Sequence, residues 1–305
     1  MFEKARFAAA GAFVLIAALL VVSCGGGDDD TTSNGNTPAS GGTTTAGTQA
    51  RVSRDIKIEM KDYSFDMSDA IGAGLVKFTA SNSGKEPHQA QLVRWNDGVT
   101  QAQFDAALKA PDFGPMFNLV TFMGGPNTIS PGASQVVYNN LTPGNYTVLC
   151  FLEAEDGMPH FAKGQVKNFT VAPGDSGDAS SPKADGGTVL LADFNFLGDV
   201  SSLPAKKTTL EVKNGGPQPH ELTVIKLNNG ITVDQIKALL NSETPPAGPP
   251  PIDDAGGIGA MQANQSGFAE LNLKAGSYAF ICFVPDPSTG KPHAALGMIK
   301  GIEVK

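Results

Sequence analysis

Short segments in which apolar and polar residues alternate recur along the chain, as expected for strands with one buried face. Pro-Gly and Gly-Asn pairs between them are typical of turns. Two other segments have apolar residues at helical spacing, each after a Thr-x-x-Gln capping box that begins at Thr100 or Thr232. The clearest alternating segments are Ile56–Met60, Val76–Thr79, Tyr146–Val148, Leu210–Val212 and Ile302–Val304. The pattern therefore predicts an all-β protein with few, short helices.

The elements occur twice. Asn82–His88 (NSGKEPH) matches Asn214–His220 (NGGPQPH), and Leu141–Phe151 (LTPGNYTVLCF) matches Leu273–Phe283 (LKAGSYAFICF). The offset is 132 positions in each case (220 − 88 and 282 − 150), so one structural unit is repeated. We predict two tandem Greek-key β-sandwiches, each with one short inserted helix.

The predicted boundaries follow from composition. The first β domain spans 51–173 and the second spans 188–305. Residues 174–187 are mostly Gly, Asp, Ser and Ala and read as a flexible linker, which predicts that the two domains fold independently.

The amino terminus carries an export signal. Lys4 and Arg6 precede a nearly unbroken apolar run over 7–22, which is shorter than a comfortable membrane span. Val21–Cys24 resembles the bacterial lipobox, which implies cleavage after residue 23 and a lipid on Cys24. Residues 24–50 have almost no apolar content and are predicted to be a disordered tether. We therefore expect an exported lipoprotein, anchored to the membrane through Cys24 on its periplasmic or cell-surface face.

The net charge of the 305 residues is −8, which argues against binding to nucleic acid or to anionic lipid head groups.

The candidate chemistry lies in the remaining cysteines and histidines. With Cys24 set aside, the chain has two cysteines and four histidines, and they divide into two equal sets with none left over. Two imidazoles, a thiolate and a weak axial donor on a rigid β scaffold are the ligands of a blue-copper site. The sets are His88, Cys150 and His160, and His220, Cys282 and His293.

These motifs resemble those of the plastocyanin-like cupredoxin family. The order is Pro-His after a strand, Gly-x-Tyr-x-x-x-Cys, a second His, and Gly-Met before a last strand. The resemblance implies that His220, Cys282 and His293 bind copper with Met298 as axial ligand. It implies the same role for His88, Cys150 and His160, with Gln165 at the axial position. Up to two coppers, single-electron transfer and a redox partner protein follow as expectations.

Other interpretations remain open. The same residues would also suit a copper-free cupredoxin-like binding or adaptor module, or a protein for copper capture. Paired His-x-His motifs for further copper centres are absent from the sequence, and no histidine is left for a hydrolase triad, so we predict that the chain is not an enzyme. Gly124-Gly125 and Gly256-Gly257 are predicted to be turns or sites of close packing.

Overall fold

The computed structural model describes residues 53–110, 113–173, 181–198, 200–242 and 251–305. The predicted signal segment, Cys24, the tether and residues 174–180 of the predicted linker lie outside this described part. None of its helices has the length and apolar character needed to cross a membrane.

Eighteen strands are described, nine in each half of the chain. Those of the first half are β1 (Asp55–Lys61), β2 (Ser64–Asp66), β3 (Ala70–Gly72), β4 (Gly74–Asn82), β5 (Gln91–Trp95), β6 (Val120–Phe122), β7 (Ser134–Leu141), β8 (Gly144–Leu149) and β9 (Val166–Ala172). Those of the second half are β10 (Thr188–Ala192), β11 (Asn195–Leu197), β12 (Ser202–Leu203), β13 (Lys207–Asn214), β14 (His220–Leu227), β15 (Ile252–Met261), β16 (Ser266–Asn272), β17 (Gly276–Ile281) and β18 (Ile299–Val304).

The strands form three sheets, and the predicted all-β sandwich fold is confirmed. Each half has its own five-stranded sheet, in the order β3-β9-β8-β5-β6 or β12-β18-β17-β14-β15. The third sheet has eight strands in the order β11-β10-β13-β16-β7-β4-β1-β2, so four come from each half. Along β1 and β4, buried and more exposed residues alternate, because one face of this sheet packs on the core.

The helices begin where the capping boxes predict. Helix α1 (Gln101–Leu108) and helix α3 (Val233–Leu240) each start after a threonine whose hydroxyl accepts a hydrogen bond from the glutamine three residues on. The structure adds a four-residue helix α2 (Gly114–Phe117) and a 3₁₀ helix over His160–Lys163. Helix α2 is too short to leave an amphipathic pattern in the sequence.

The two halves are related by a pseudo-twofold axis. Strands β7 and β16 pair antiparallel, with Val137 opposite Ala269, and these positions are equivalent in the repeat (269 − 137 = 132). Pro126 and Ile258 also face each other, again 132 positions apart. The repeat therefore forms a symmetric contact with itself, as the identical patches of a homodimer do.

Amide side chains from the first half bind the backbone of β15 in the second. Gln91 receives a hydrogen bond from Ala260 N at 2.7 Å and donates one to Ala260 O at 2.9 Å. Gln135 makes the same pair of bonds with Gly257, at 2.9 and 3.2 Å. A Cβ at Gly256 would clash with the Gln135 side chain of the first half, and one at Gly124 would lie 3.2 Å from Met261 Cγ of the second half. The two glycine pairs are therefore close-packing sites at the contact between the halves.

A single hydrophobic cluster runs through both halves, from Ile56 and Phe78 in the first to Phe280 and Val304 in the second. Together with the shared sheet, this continuous core argues against the expected independence of the two halves. The domain boundaries themselves remain a prediction.

Candidate metal centres

The candidate ligands of the first group come from two connections of the first sandwich, one between β4 and β5 and one between β8 and β9. His88 lies between β4 and β5 and is held by backbone hydrogen bonds with Ile129 at 3.2 and 3.0 Å. Cys150 directly follows β8, His160 begins the 3₁₀ helix, and Gln165 directly precedes β9. Strand ends on a hydrogen-bonded sheet place these side chains within reach of each other, although 72 residues separate the two histidines.

In this first group the donor atoms converge. His88 Nδ1 lies 3.1 Å from His160 Nδ1, and Cys150 Sγ lies 3.5 Å from His160 Nδ1. Gln165 Oε1 is 3.1 Å from the same Nδ1, while its amide nitrogen donates to Lys61 O at 3.2 Å. That hydrogen bond turns the amide oxygen towards the histidines. All four side chains are buried.

The second group repeats this geometry. His220 Nδ1 lies 2.9 Å from His293 Nδ1, and Cys282 Sγ is 3.5 Å from His293 Nδ1. Met298 is fully buried, and its N–H donates to His293 O at 2.9 Å, as the N–H of Gln165 does to His160 O. The structure thus brings the predicted residues of each set together, and Gln165 and Met298 occupy equivalent positions.

The outward-facing Nε2 atoms contact acidic or amide side chains that the sequence analysis missed. Asp62 Oδ1 lies 3.1 Å from His88 Nε2, and Asp193 Oδ1 lies 2.6 Å from His220 Nε2. The signal was present as a second repeat, Asp62-Tyr-Ser-Phe65 and Asp193-Phe-Asn-Phe196. Neither aspartate lies near a ligand in sequence, so spacing alone gave it no role.

The other histidine of each group also has a partner at Nε2. Glu86 Oε2 lies 2.9 Å from His160 Nε2, a close contact that does not have the geometry of a hydrogen bond. The equivalent contact in the second half is neutral, with Gln218 Oε1 at 3.1 Å from His293 Nε2.

Burial shifts the titration of both groups. It lowers the pKa of His88, His160 and His220, and that of His293 falls to about 4 through burial and the neighbouring His220. Burial also raises the pKa of the Cys282 thiol well above its ordinary value. The imidazoles therefore stay neutral at physiological pH, as metal ligation requires, and loss of the thiol proton needs a compensating positive charge.

This donor set fits a metal ion. Because oxygen acceptors face the Nε2 atoms, each neutral ring carries its proton there and directs the Nδ1 lone pair inward. Two such lone pairs at about 3 Å, with a sulfur beside them, repel each other unless a cation or proton lies between. Both groups, His88, Cys150 and His160, and His220, Cys282 and His293, could hold a metal ion. Within the described residues no disulfide competes for the thiols.

No protein family and no curated protein matches this sequence. Among solved structures, the Na-dithionite reduced auracyanin of the photosynthetic bacterium Roseiflexus castenholzii is 23% identical, with 40% of this chain and 99% of that chain covered and a TM-score of 0.28. A copper nitrite reductase from Nitrosomonas europaea is 16% identical over 82% of this chain and 93% of its own, with a TM-score of 0.24. A multicopper oxidase is 16% identical over 82% of this chain and 88% of its own, with a TM-score of 0.22.

The comparisons correct one prediction. We expected from the missing His-x-His motifs that the chain is not an enzyme, and the comparisons contradict this prediction, because the solved structures that they find include a multicopper oxidase and a copper nitrite reductase. The activities themselves belong to those proteins.

Proposed function

We propose that the chain is a type 1 copper protein that carries single electrons between redox partner proteins. The observation that carries the proposal is the pair of buried His-Cys-His groups, each with a residue suited to an axial position. Copper bound there would alternate between Cu(I), which the thiolate favours, and Cu(II), which imidazole tolerates. The chain would hold the ligands in place before binding, so that little has to move when the charge changes.

Each residue has a part in this proposal. His88, Cys150 and His160 would hold copper in the first centre with Gln165 as the axial oxygen. His220, Cys282 and His293 would do so in the second centre, with Met298 as the axial sulfur. Asp62 and Asp193 orient one imidazole of each centre through its Nε2 proton.

Copper titration tests the proposal. Cu(II) added to the purified chain should produce an intense absorption band at about 600 nm from the copper–thiolate bond. The band should saturate at two equivalents if both centres fill. The control is the double variant Cys150→Ser/Cys282→Ser, which should show no such band. If the unaltered chain stays colourless with Cu(II), the copper-free adaptor interpretation takes the place of this one.

We further propose that a lipid on Cys24 tethers the chain to the membrane outside the cytoplasm. The lipobox-like segment and the polar stretch that follows it support this. Cys24→Ser should move the protein from the membrane fraction to the soluble fraction. A variant that stays with the membrane would contradict lipid anchoring at Cys24.

A further inference from the structure

The two candidate centres differ in the residue that faces the outer nitrogen of the second histidine. In the first centre this is the carboxylate of Glu86, at 2.9 Å from His160 Nε2. In the second it is the neutral amide of Gln218, at 3.1 Å from His293 Nε2. The two positions are equivalent in the repeat (218 − 86 = 132) and each directly precedes the Pro-His pair.

The backbone carbonyl groups of these two residues are held in the same way. Asn82 Nδ2 donates to Glu86 O at 2.8 Å, and Asn214 Nδ2 donates to Gln218 O at 2.7 Å. The carboxylates beside the first histidine of each centre also correspond, since Asp62 faces His88 and Asp193 faces His220. The difference between the centres at this position is therefore one side-chain charge.

The two centres also differ in the aromatic residue that packs beside the second histidine. The ring of Tyr63 packs edge-on against His160 with centroids 5.2 Å apart, and Phe194 lies 4.9 Å from His293 at the equivalent place. The Tyr63 hydroxyl donates to Glu86 Oε1 at 3.1 Å, which fixes the carboxylate against the imidazole. Phe194 has no hydroxyl group that could donate to Gln218. The Gln218 side chain is held instead by the hydrogen bond that its amide nitrogen donates to Asp286 Oδ1 at 3.2 Å.

We propose that Glu86, held by Tyr63, is a positioning residue that lowers the reduction potential of the first centre relative to the second. This rests on the proposed copper function. Oxidation adds one positive charge at the centre, and a carboxylate on the ligand imidazole stabilises that charge and makes the ligand more basic. Glu86 is also largely shielded from water, with 17% of its side chain exposed, so solvent screens it weakly. Asp286 also places a negative charge near the second centre, but the side-chain amide of Gln218 lies between it and the imidazole of His293.

The effect adds to that of the axial residues. An amide oxygen at Gln165 favours Cu(II) and a thioether at Met298 favours Cu(I). Both differences lower the reduction potential of the first centre relative to that of the second. Electron transfer from the first centre to the second would therefore be favourable.

The test isolates each centre within the full chain. Cys282→Ser leaves only the first centre and Cys150→Ser leaves only the second, each followed by its band at about 600 nm. In the first background, Glu86→Gln should raise the reduction potential, with a change on the order of tenfold in the equilibrium constant for reduction. In the second, Gln218→Glu should lower it. Asp105→Asn, which removes a surface charge from α1 in the same half as Glu86, is the control and should leave the potential nearly unchanged.

The outcomes separate the two proposals. If both backgrounds stay colourless, the proposed function fails and this inference with it. If the bands form and persist in the variants but Glu86→Gln leaves the potential where Asp105→Asn leaves it, or lowers it, the inference alone is overturned. The same holds if Gln218→Glu raises the potential of the second centre. Both substitutions preserve side-chain size, so a purely steric role would not give opposite shifts in the two centres.

Discussion

The contact between the two halves makes a measurable prediction at Gln91. Its side chain is buried, with 2% exposed, and it joins the first half to β15 through bonds to both backbone groups of Ala260. Gln91→Leu keeps a similar volume and removes every one of these bonds. We expect it to destabilise the whole described fold, because the halves share an eight-stranded sheet and one core.

The magnitude follows from which groups lose their partner. Gln91 Nε2 also donates to Leu92 O and Gly124 O at 2.9 Å each. The three carbonyls keep a backbone donor, since Gly124 O still accepts from Leu92 N and Ala260 O from Gly124 N, both at 2.8 Å, and Leu92 O accepts from Met123 N at 2.9 Å. The main loss is the buried N–H of Ala260, and an unsatisfied buried donor costs about 1–3 kcal/mol. With the weaker losses at the carbonyls we expect about 2–4 kcal/mol.

Urea and thermal denaturation of the metal-free chain measure this loss with two probes. The fluorescence of Trp95, the single tryptophan, reports on the first half, and far-ultraviolet circular dichroism reports on both halves. The two probes should give coincident transitions, and Gln91→Leu should lower Tm by about 5–15 °C. Gln101→Leu, at an exposed position of α1, is the matched control and should change stability by less than about 0.5 kcal/mol. Separate transitions for the two probes, or a loss below about 1 kcal/mol in Gln91→Leu, would refute a cooperative contact between the halves.

Three further predictions concern the centres. Cys282→Ser should abolish the absorption band of the second centre and leave that of the first, and a band that survives in the double cysteine variant would contradict the ligand assignment. Voltammetry on single-centre variants should show a higher potential for Gln165→Met and a lower one for Met298→Gln, because a thioether favours Cu(I); a shift in the opposite direction at either position would count against the axial assignment. The metal-free chain should lose stability as the pH falls from about 6.5 towards about 4, the pKa of His293, because the unfolded chain binds protons that the buried imidazoles do not. Urea denaturation at several pH values measures this loss in a Glu221→Gln background. The substitution is needed because burial raises the pKa of the Glu221 carboxyl, which makes the opposite contribution to the pH dependence of stability. A free energy of unfolding that does not change over this pH range would contradict the prediction.

The local elements of this protein could be predicted from the sequence. Alternation of apolar and polar residues locates strands such as β1 and β13, because the side chains of a strand point to opposite faces in turn. The capping boxes at Thr100 and Thr232 locate the starts of α1 and α3, because their hydrogen bonds involve residues only three positions apart. The repeat located the candidate ligands, since the same residue types recur in the same order in both copies, with 62 positions from the first histidine to the cysteine in each.

The tertiary structure decided which edges of the sheets meet and what surrounds the candidate ligands. Alternation shows which face of β7 or β16 is buried but not which strand lies beside it, so the shared sheet was not predictable from either pattern. The roles of Asp62 and Glu86 likewise depend on contacts across the fold, because each faces a histidine 26 or 74 positions away (88 − 62 and 160 − 86). A sequence fixes the chemical groups along the chain and their local conformation, whereas the charge felt at a buried centre depends on every group that packing brings against it.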